Sequence, residues 1–186
     1  MKLFGSSTSP FVRHCRIALL QTNLPFEMVE TGFPESAEQS PMKKVPFMQD
    51  GDVSLTDSSS ILKYIREKAG QDFLSDVQDY ETFAMSNTLQ DTSINLFIIS
   101  MEGFGPDQIK YLGRQQGRVQ SGLAALNDRI DPAQGLSTDG AIRAACFLAW
   151  GAYRNRFTLD GLDNLSGLMR VANADAHFIA TAPPPA

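Results

Sequence analysis

The sequence has few residues of the types that bind metals or act as redox centres. Its 186 residues include only 2 cysteines and 2 histidines. Cys15 and Cys146 lie far apart and form neither a CxxC pair nor another metal-ligand spacing, so both are predicted to be buried free thiols. His14 and His177 have no partner at catalytic spacing and are predicted at the surface or at helix ends. We therefore expect no metal site, and no glycine-rich nucleotide loop is present.

Basic runs and long apolar stretches are also missing. The chain has 16 Lys and Arg against 21 Asp and Glu, a formal net charge of -5. A nucleic-acid partner is not expected, because a basic surface normally supplies that affinity. No apolar run approaches the roughly 18 residues that span a bilayer, and the amino-terminal MKLFGSSTSP lacks the apolar segment of a signal peptide. These absences predict a cytoplasmic protein without a membrane partner, and 42% hydrophobic residues suffice for a buried core.

Strand and helix patterns alternate through residues 1–75. Short strands are predicted at 2–5 and 26–30, with a helix at 10–22 between them. The apolar stripe of that helix consists of Val12, Cys15, Ala18 and Leu19. VPFMQDGDVSLT predicts a hairpin with a type I′ turn at Asp50-Gly51, and DSSSILKYIREKAG predicts a capped helix. This order predicts an α/β domain, a parallel βαβ unit followed by a hairpin and a covering helix.

The pattern becomes helical after a linker near residues 70–77. Helical periodicity runs through three segments, residues 79–101, 107–130 and 139–153. A shorter helix is predicted within 161–177, and Ser137 is the predicted cap of the helix that starts at Asp139. The tail TAPPPA, residues 181–186, is predicted to be disordered. The fold class is thus an α/β domain joined to an all-α domain, which is predicted to span 79–186.

Ser9 and Pro46 each have two interpretations from the residues alone. Proline is favoured at the first helical position, so Pro10 places Ser9 where the unpaired N–H groups of a helix begin. Ser9 then either caps the helix, by accepting a hydrogen bond from an N–H one turn on, or holds an anionic group. Pro46 stands at the start of a predicted strand and cannot donate to a sheet. It lies either at a sheet edge or after a cis peptide bond.

Three stretches, in this order, resemble the glutathione transferase family: TSPFVRHCRIALLQTNLPFE, KKVPFMQDGDVSLTDSSSILKYI and the helical second half. The similarity is close over residues 1–68 and rests on architecture over 79–186. In that family a thioredoxin-like amino-terminal domain binds glutathione, and a helical carboxy-terminal domain binds the second substrate. The segment that begins SPFV is similar to the serine-type motif of plant tau-class and small bacterial members, whereas omega-like classes have cysteine there. The resemblance implies a transferase rather than a thiol reductase.

The resemblance also implies roles for individual residues. Ser9 would donate a hydrogen bond to the sulfur of glutathione and act as the catalytic residue. Val45, before a cis Pro46, would pair its backbone with the cysteinyl backbone of glutathione. Ser58 at a helix amino terminus would hold the γ-glutamyl carboxylate, and Asp57 its ammonium. The family usually has Glu or Gln where this chain has the shorter Asp57.

Further candidates lie outside these motifs. Lys44 is a candidate partner for the glycyl carboxylate of glutathione. Four apolar residues are candidates for the electrophile pocket, although apolar residues of helices are more often core residues: Phe11, Phe97, Met101 and Phe104. Arg13 in the first helix either faces the site or is solvated, and the solvated position is favoured.

As a whole, the resemblance implies a homodimeric cytosolic enzyme that conjugates the glutathione thiolate to a small apolar electrophile. Glutathione is then a co-substrate, and no cofactor is expected. Two alternatives stay open at this point. The same thiolate could serve isomerase, dehalogenase or peroxidase chemistry, or the chain could be a non-catalytic module that binds proteins or ligands. The presence of Ser9, Asp57 and Ser58 together favours an enzyme.

Overall fold

In a computed structural model, which describes residues 1–185, the chain folds into two compact units. The first unit consists of Met1–Ser75 together with residues 174–185, and the second is Asp76–Asn173. The first unit contains all the strands of the described residues, whereas the second contains helices alone. The predicted fold class, an α/β domain joined to an all-α domain, is confirmed.

A four-stranded mixed sheet forms the centre of the first unit. Its strands are β1 (Lys2–Gly5), β2 (Glu27–Glu30), β3 (Phe47–Asp50) and β4 (Val53–Leu55). They lie in the order β2-β1-β3-β4, with β2 parallel to β1 and with β3 antiparallel to both β1 and β4. Helix α1 (Pro10–Thr22) connects β1 to β2. The predicted parallel βαβ unit and the hairpin are therefore both present.

Helix α1 is fixed by the apolar stripe that the sequence predicts. Each of its four residues is 0% exposed: Val12, Cys15, Ala18 and Leu19. α1 packs on α3 (Ser58–Lys68), and α2 (Phe33–Gln39) lies between β2 and β3 in the chain. Full burial of a large aliphatic side chain stabilises a fold by roughly 1.5–3 kcal/mol. The stripe therefore determines which face of α1 is buried and where its first turn lies.

The turn between β3 and β4 differs from the predicted one. Asp50 pairs with Val53, so the two-residue loop is Gly51 and Asp52 rather than Asp50 and Gly51. Of these two loop residues only Gly51 has a positive φ, 58°. A type I′ turn needs positive φ at both central residues, whereas type II′ needs it at the first alone. The hairpin therefore has the type II′ pattern, and Gly51 occupies the position that requires glycine.

The second unit is built from four α-helices. They are α4 (Val77–Met101), α5 (Lys110–Arg129), α6 (Asp139–Tyr153) and α7 (Asp163–Ala172). Helix α6 is central, since 12 of its 15 residues are buried and it packs on both α4 and α7. Within residues 1–185, no helix has both the length and the apolar character to cross a bilayer.

The amino terminus of α6 is capped twice. Thr138, rather than the predicted Ser137, is the capping residue, and its Oγ1 accepts a hydrogen bond from the N–H of Ala141 at 3.2 Å. Asp79, near the start of α4, accepts a second hydrogen bond at its Oδ1 from the N–H of Gly140 at 2.8 Å. The second bond joins two helices, so it could not be deduced from the local sequence of α6.

Residues 174–185 differ from two predictions. They belong to the first unit rather than to the helical domain, and α8 (Ala176–Ala180) packs against α1. The reason is burial in the first unit, where Phe178 is 1% exposed and Thr181 is 0% exposed. The helical unit therefore ends at Asn173. Within the tail that was predicted to be disordered, Thr181 is held in place, and residue 186 lies outside the described residues.

Candidate functional site

One edge of the sheet collects the segments that the sequence singles out. Phe4 of β1 pairs with Phe47 of β3, and their rings are stacked with centroids 4.5 Å apart. Met48 of β3 pairs with Leu55 of β4. Because paired strands run antiparallel in both cases, the end of β1, the start of β3 and the end of β4 lie at the same edge. We call the chain segments next to these ends the edge site: residues 6–9, 44–46 and 56–58.

Ser9 caps α1 at this edge. Its backbone is extended, and its Oγ accepts a hydrogen bond from the N–H of Val12 at 3.4 Å. Its carbonyl accepts from the N–H of Arg13 at 3.0 Å. A serine oxygen that accepts a hydrogen bond still carries its own proton, so the Ser9 O–H can donate to a ligand. The side chain is half-buried. The capping role is therefore present and is compatible with binding an anion.

The other hydroxyl residues of this loop have different partners. Ser7 donates its N–H to Glu30 Oε1 at 2.9 Å and its hydroxyl to the same oxygen at 3.4 Å. The hydroxyls of Ser6 and Thr8 are 3.0 Å apart. Glu30 was not singled out by the sequence, and it reaches the loop because β2 runs parallel to β1, with Gly5 opposite Glu30. These contacts fix the loop that carries Ser9.

The Val45–Pro46 peptide bond is cis, which is the alternative that the family resemblance implies. Pro46 is buried and Val45 is half-buried. Pro46 directly precedes β3, and Val45 lies in the bend just before it, at the same end of the sheet. An extended peptide that lies along Val45 would meet its main-chain N–H and C=O groups, as in strand addition.

Asp57 and Ser58 form the start of α3. Asp57 caps this helix, since its Oδ1 accepts a hydrogen bond from the N–H of Ser59 at 2.9 Å. Its Oδ2 accepts from the ammonium of Lys44 at 3.0 Å in an exposed ion pair. Ser58 is 4% exposed, and its carbonyl lies 4.0 Å from the buried thiol of Cys15. Lys44 thus joins the loop before β3 to the start of α3.

The surroundings of Asp57 keep its carboxylate ionised. Partial burial raises the pKa of this carboxyl, but the N–H of Ser59 and the ammonium of Lys44 together outweigh burial, so the pKa lies below its ordinary value. Because the pKa is lowered on folding, these contacts contribute fully to stability at neutral pH. Their contribution is lost only as acid protonates Asp57. The Asp57 carboxylate therefore stays ionised across the neutral range, paired with the ammonium of Lys44.

Two polar residues of α1 that the sequence placed in solvent are buried. Arg13 is 6% exposed and His14 is 0% exposed. The guanidinium of Arg13 lies 3.6 Å from the ring centroid of Phe178 and donates to the Phe178 carbonyl at 2.7 Å. Periodicity within α1 could not reveal this burial, because the partner lies 165 residues further along the chain.

The four candidates for an electrophile pocket have different surroundings. Phe11 is half-buried on α1 of the first unit. In the second unit, Phe97 contacts Trp150 edge-to-face, with ring centroids 5.8 Å apart. Met101 is 71% exposed at the end of α4, and Phe104 is 53% exposed just beyond it. Of these four residues, Phe104 lines a cleft of about 380 Å³ within the second unit.

This cleft lies among α4, α5 and the loop before α7, and we call it the helical cleft. Its lining is mixed, with slightly more apolar than polar residues, and the apolar ones include Leu96, Leu112, Val119, Leu123, Phe157 and Leu162. Polar groups come from residues such as Gln116 and Arg156. Small-molecule sites in proteins are clefts of this size with an apolar lining and a few polar groups.

The edge site is suited to a small extended peptide that carries charged groups. The amino termini of α1 and α3 carry partial positive charge and favour anionic groups. Val45 brings main-chain N–H and C=O groups next to the cis peptide bond, and the carboxylate of Asp57 favours a cation. The described residues contain no group of three or more His, Cys, Asp or Glu that could hold a metal ion.

The known sequences that resemble this chain are glutathione S-transferases. Residues 3–73 match the family model described as glutathione S-transferase, N-terminal domain. A glutathione S-transferase of Pseudomonas putida is 32% identical over 143 residues, which cover 71% of this chain and 65% of that protein. A probable glutathione S-transferase of rice is 34% identical over 83 residues, which cover 41% of this chain and 39% of that protein. The chain thus spans less than half the length of the rice relative and just under two thirds of the bacterial one.

Comparison with solved structures extends the likeness over both units. The crystal structure of a glutathione transferase family member from Pseudomonas fluorescens Pf-5, with bound glutathione, matches with a TM-score of 0.87 at 20% identity and covers 98% of each chain. This likeness establishes the fold, a thioredoxin-like domain and a helical domain. The family match therefore assigns residues 3–73 to the glutathione S-transferase amino-terminal domain, and the bacterial relative extends the similarity to this family beyond that domain.

Proposed function

We propose that this chain is a glutathione transferase in which the Ser9 hydroxyl stabilises the thiolate of glutathione for attack on a small apolar electrophile. The observation that carries the proposal is the meeting of Ser9, Val45 and Asp57 at one sheet edge, with the Ser9 proton available for donation. Glutathione has the matching groups. It carries a thiol, an extended peptide and, at its γ-glutamyl end, a carboxylate beside an ammonium.

The hydrogen bond from one hydroxyl is strong enough to favour the thiolate form of glutathione. The thiolate rather than the thiol is the nucleophile, and an unperturbed thiol has a pKa of about 8.5. A hydrogen bond to a charged group contributes roughly 1.5–3 kcal/mol, and one pKa unit corresponds to about 1.36 kcal/mol. Ser9 would therefore lower the pKa of the bound thiol by roughly one to two units. The pKa of the bound thiol would then lie close to neutral pH, so the reaction needs no general base.

The remaining contacts hold the ends of the tripeptide. Ser58 at the start of α3 would receive the γ-glutamyl carboxylate, Asp57 its ammonium, and Val45 the cysteinyl main chain. Lys44 was expected to reach the glycyl carboxylate, and in the structure its ammonium contacts Asp57. This contact places Lys44 at the residue proposed for the γ-glutamyl end, so it does not support a role at the glycyl carboxylate, which lies at the other end of the tripeptide.

The second substrate in this proposal is a small apolar electrophile, of the kind removed in detoxification. The support is the apolar character of Phe11, Phe97, Met101 and Phe104, and the helical cleft that Phe104 lines. We further propose a cytoplasmic homodimer, as the family resemblance implies. The mass of the purified protein from light scattering would show whether it is a dimer.

The test has two stages, because binding and turnover separate the candidate functions. Retention on immobilised glutathione is measured first, and conjugation of chlorodinitrobenzene by the parent and by Ser9→Ala is measured second. Retention with Ser9-dependent conjugation supports the proposal. Retention without turnover of any electrophile tried would contradict it and favour a non-catalytic binding module. Failure to bind glutathione would refute both the site and the function. Turnover of isomerase, dehalogenase or peroxide substrates in place of conjugation would leave the site intact and reassign the reaction.

Asp57→Asn is expected to weaken glutathione binding by about 10-fold or more, since a charge-assisted hydrogen bond contributes roughly 1.5–3 kcal/mol. Asparagine is as good a helix cap as aspartate, so α3 should keep its start, and loss of the exposed ion pair with Lys44 should cost at most about 1 kcal/mol. Titration calorimetry with glutathione measures the change. Asp52→Asn, in the exposed hairpin loop, is the matched control and should bind like the parent. Equal affinity of Asp57→Asn and the parent would remove Asp57 from the site.

A further inference from the structure

The carboxyl end of α8 is held by two arginines of α1. The guanidinium of Arg13 donates to the Phe178 carbonyl at 2.7 Å and to Thr181 Oγ1 at 3.4 Å. Arg16, one turn further along α1, donates to the carbonyls of Ala180 and Thr181, both at 3.4 Å. Carbonyls at the end of a helix lack partners within it and carry partial negative charge. Two cations therefore meet the end of α8 where it is most electronegative.

Arg13 is the better anchored of the two arginines. It is 6% exposed, and its guanidinium lies 3.6 Å from the ring centroid of Phe178, which is itself 1% exposed. Thr181 is 0% exposed, and its hydroxyl donates back to the His177 carbonyl at 2.9 Å. Stacking and hydrogen bonding together fix the plane of the guanidinium. A lysine ammonium could not reproduce this arrangement, because it lacks the planar fork.

The backbone of Arg13 is bonded to the residue at the centre of the edge site. Its N–H donates to the Ser9 carbonyl at 3.0 Å, in the first turn of α1. In the same turn the N–H of Val12 donates to Ser9 Oγ at 3.4 Å. The position of Ser9 and the direction of its hydroxyl thus depend on the first turn of α1. The Arg13 side chain bonds that turn to α8.

We propose that Arg13 is a positioning residue for Ser9, and that the segment 174–185 is part of the catalytic apparatus through it. Arg13 bonds to Ser9 through its main chain and to the end of α8 through its side chain. It thereby fixes the first turn of α1 and holds the Ser9 hydroxyl in line with the sulfur of bound glutathione. Arg13 acts through α1 and not by contact with substrate. This inference rests on the proposed function, in which Ser9 stabilises a thiolate.

The test measures the pKa of the bound thiol, which loss of stability alone would not move. Thiolate absorbance of the full-length protein saturated with glutathione is followed against pH for Arg13→Met, Arg13→Lys and Thr181→Val. Arg13→Met should raise the thiol pKa by about one unit and lower kcat/KM for chlorodinitrobenzene about 10-fold below that pKa. Arg13→Lys should behave like Arg13→Met, because it keeps the charge and loses the fork. Lys63→Met, at an exposed ion pair of α3, is the control and should match the parent.

Several results would overturn the inference. One is a folded Arg13→Met protein with the thiol pKa of the parent. Another is full rescue by Arg13→Lys, which would show that the charge acts through space. If both Arg13 variants fail to fold, the thiol pKa measured for Thr181→Val tests the inference instead. It keeps Arg13 and removes one acceptor, so a smaller rise in thiol pKa is expected, and no rise would refute the role.

The same measurement on Ser9→Ala separates this inference from the proposed function. If Ser9→Ala leaves the thiol pKa unchanged, the proposed function fails and Arg13 has nothing to position. If Ser9→Ala raises the pKa while the Arg13 and Thr181 variants do not, the proposed function stands and the positioning role alone is refuted.

Discussion

Replacing Ser9 with alanine is expected to lower kcat/KM for glutathione conjugation by about 10- to 100-fold at neutral pH. Without the hydroxyl, the pKa of the bound thiol should return toward about 8.5, so most of the glutathione would be bound as the unreactive thiol. The loss should shrink as the pH rises past that value, because the thiol then ionises without assistance. Steady-state kinetics with chlorodinitrobenzene from neutral to alkaline pH measures both effects.

Ser9→Ala also removes a helix cap, which costs about 1 kcal/mol of stability. Ser9→Thr is the matched control, since threonine keeps the hydroxyl and also caps helices. It should recover most of the activity and of the unfolding temperature. The kinetics are compared well below the unfolding transition of each variant. A Ser9→Ala enzyme with the pH profile of the parent would show that another group stabilises the thiolate.

Gly140→Ala is expected to destabilise the protein by about 2 kcal/mol or more, a fall in Tm of about 4–8 °C. A Cβ at Gly140 would lie 2.7 Å from the main-chain oxygen of Asp79 and would also meet the Asp79 carboxylate. The main chain of α4 would have to move away from α6, and the hydrogen bond from Gly140 N–H to Asp79 Oδ1 would be lost. Thermal unfolding followed by circular dichroism measures the change.

Gly117→Ala is also a glycine-to-alanine change in a helix, but it is expected to stabilise the protein. Gly117 lies on the exposed side of α5, and no atom lies within 4 Å of the Cβ that alanine would add. Alanine is the better helix former, so this variant should gain about 0.5–1 kcal/mol. A Gly140→Ala protein that gained stability as Gly117→Ala does would mean that α4 and α6 are not in such close contact.

Local patterns were sufficient for the four strands, for α1 and α3 to α7, and for the caps of α1 and α3, whereas α8 was not predicted as a separate helix. The capping serine before Pro10 and the acid–serine start of α3 act within a few residues, so their capping roles are visible in short stretches. The same holds for the stripe of α1, whose four predicted residues are fully buried. Pro46 left two outcomes open, and the family resemblance implied the cis bond that is present. At the hairpin the predicted type I′ turn at Asp50-Gly51 was wrong, because the hydrogen-bond register places Gly51 and Asp52 in the loop.

The remaining features depend on partners far apart in the chain. Glu30 holds the loop of Ser9 because parallel strands bring residues 23 positions apart together. Lys44 contacts Asp57 because β3 and β4 return to the same edge. Arg13 shows the limit most clearly. An arginine in an amphipathic helix is ordinarily solvated, and the aromatic ring and carbonyl that bury this one come from α8.

The return of residues 174–185 to the first unit affects the order in which the protein can be completed during synthesis. A ribosome makes the four strands and α1–α3 first, then the 98 residues Asp76–Asn173, and only afterwards the segment that accepts the Arg13 guanidinium. Domains generally fold as they emerge, with the amino-terminal one first. Here the amino-terminal unit is not complete until the whole helical unit has been translated. Until then the Arg13 side chain lacks its acceptors in α8.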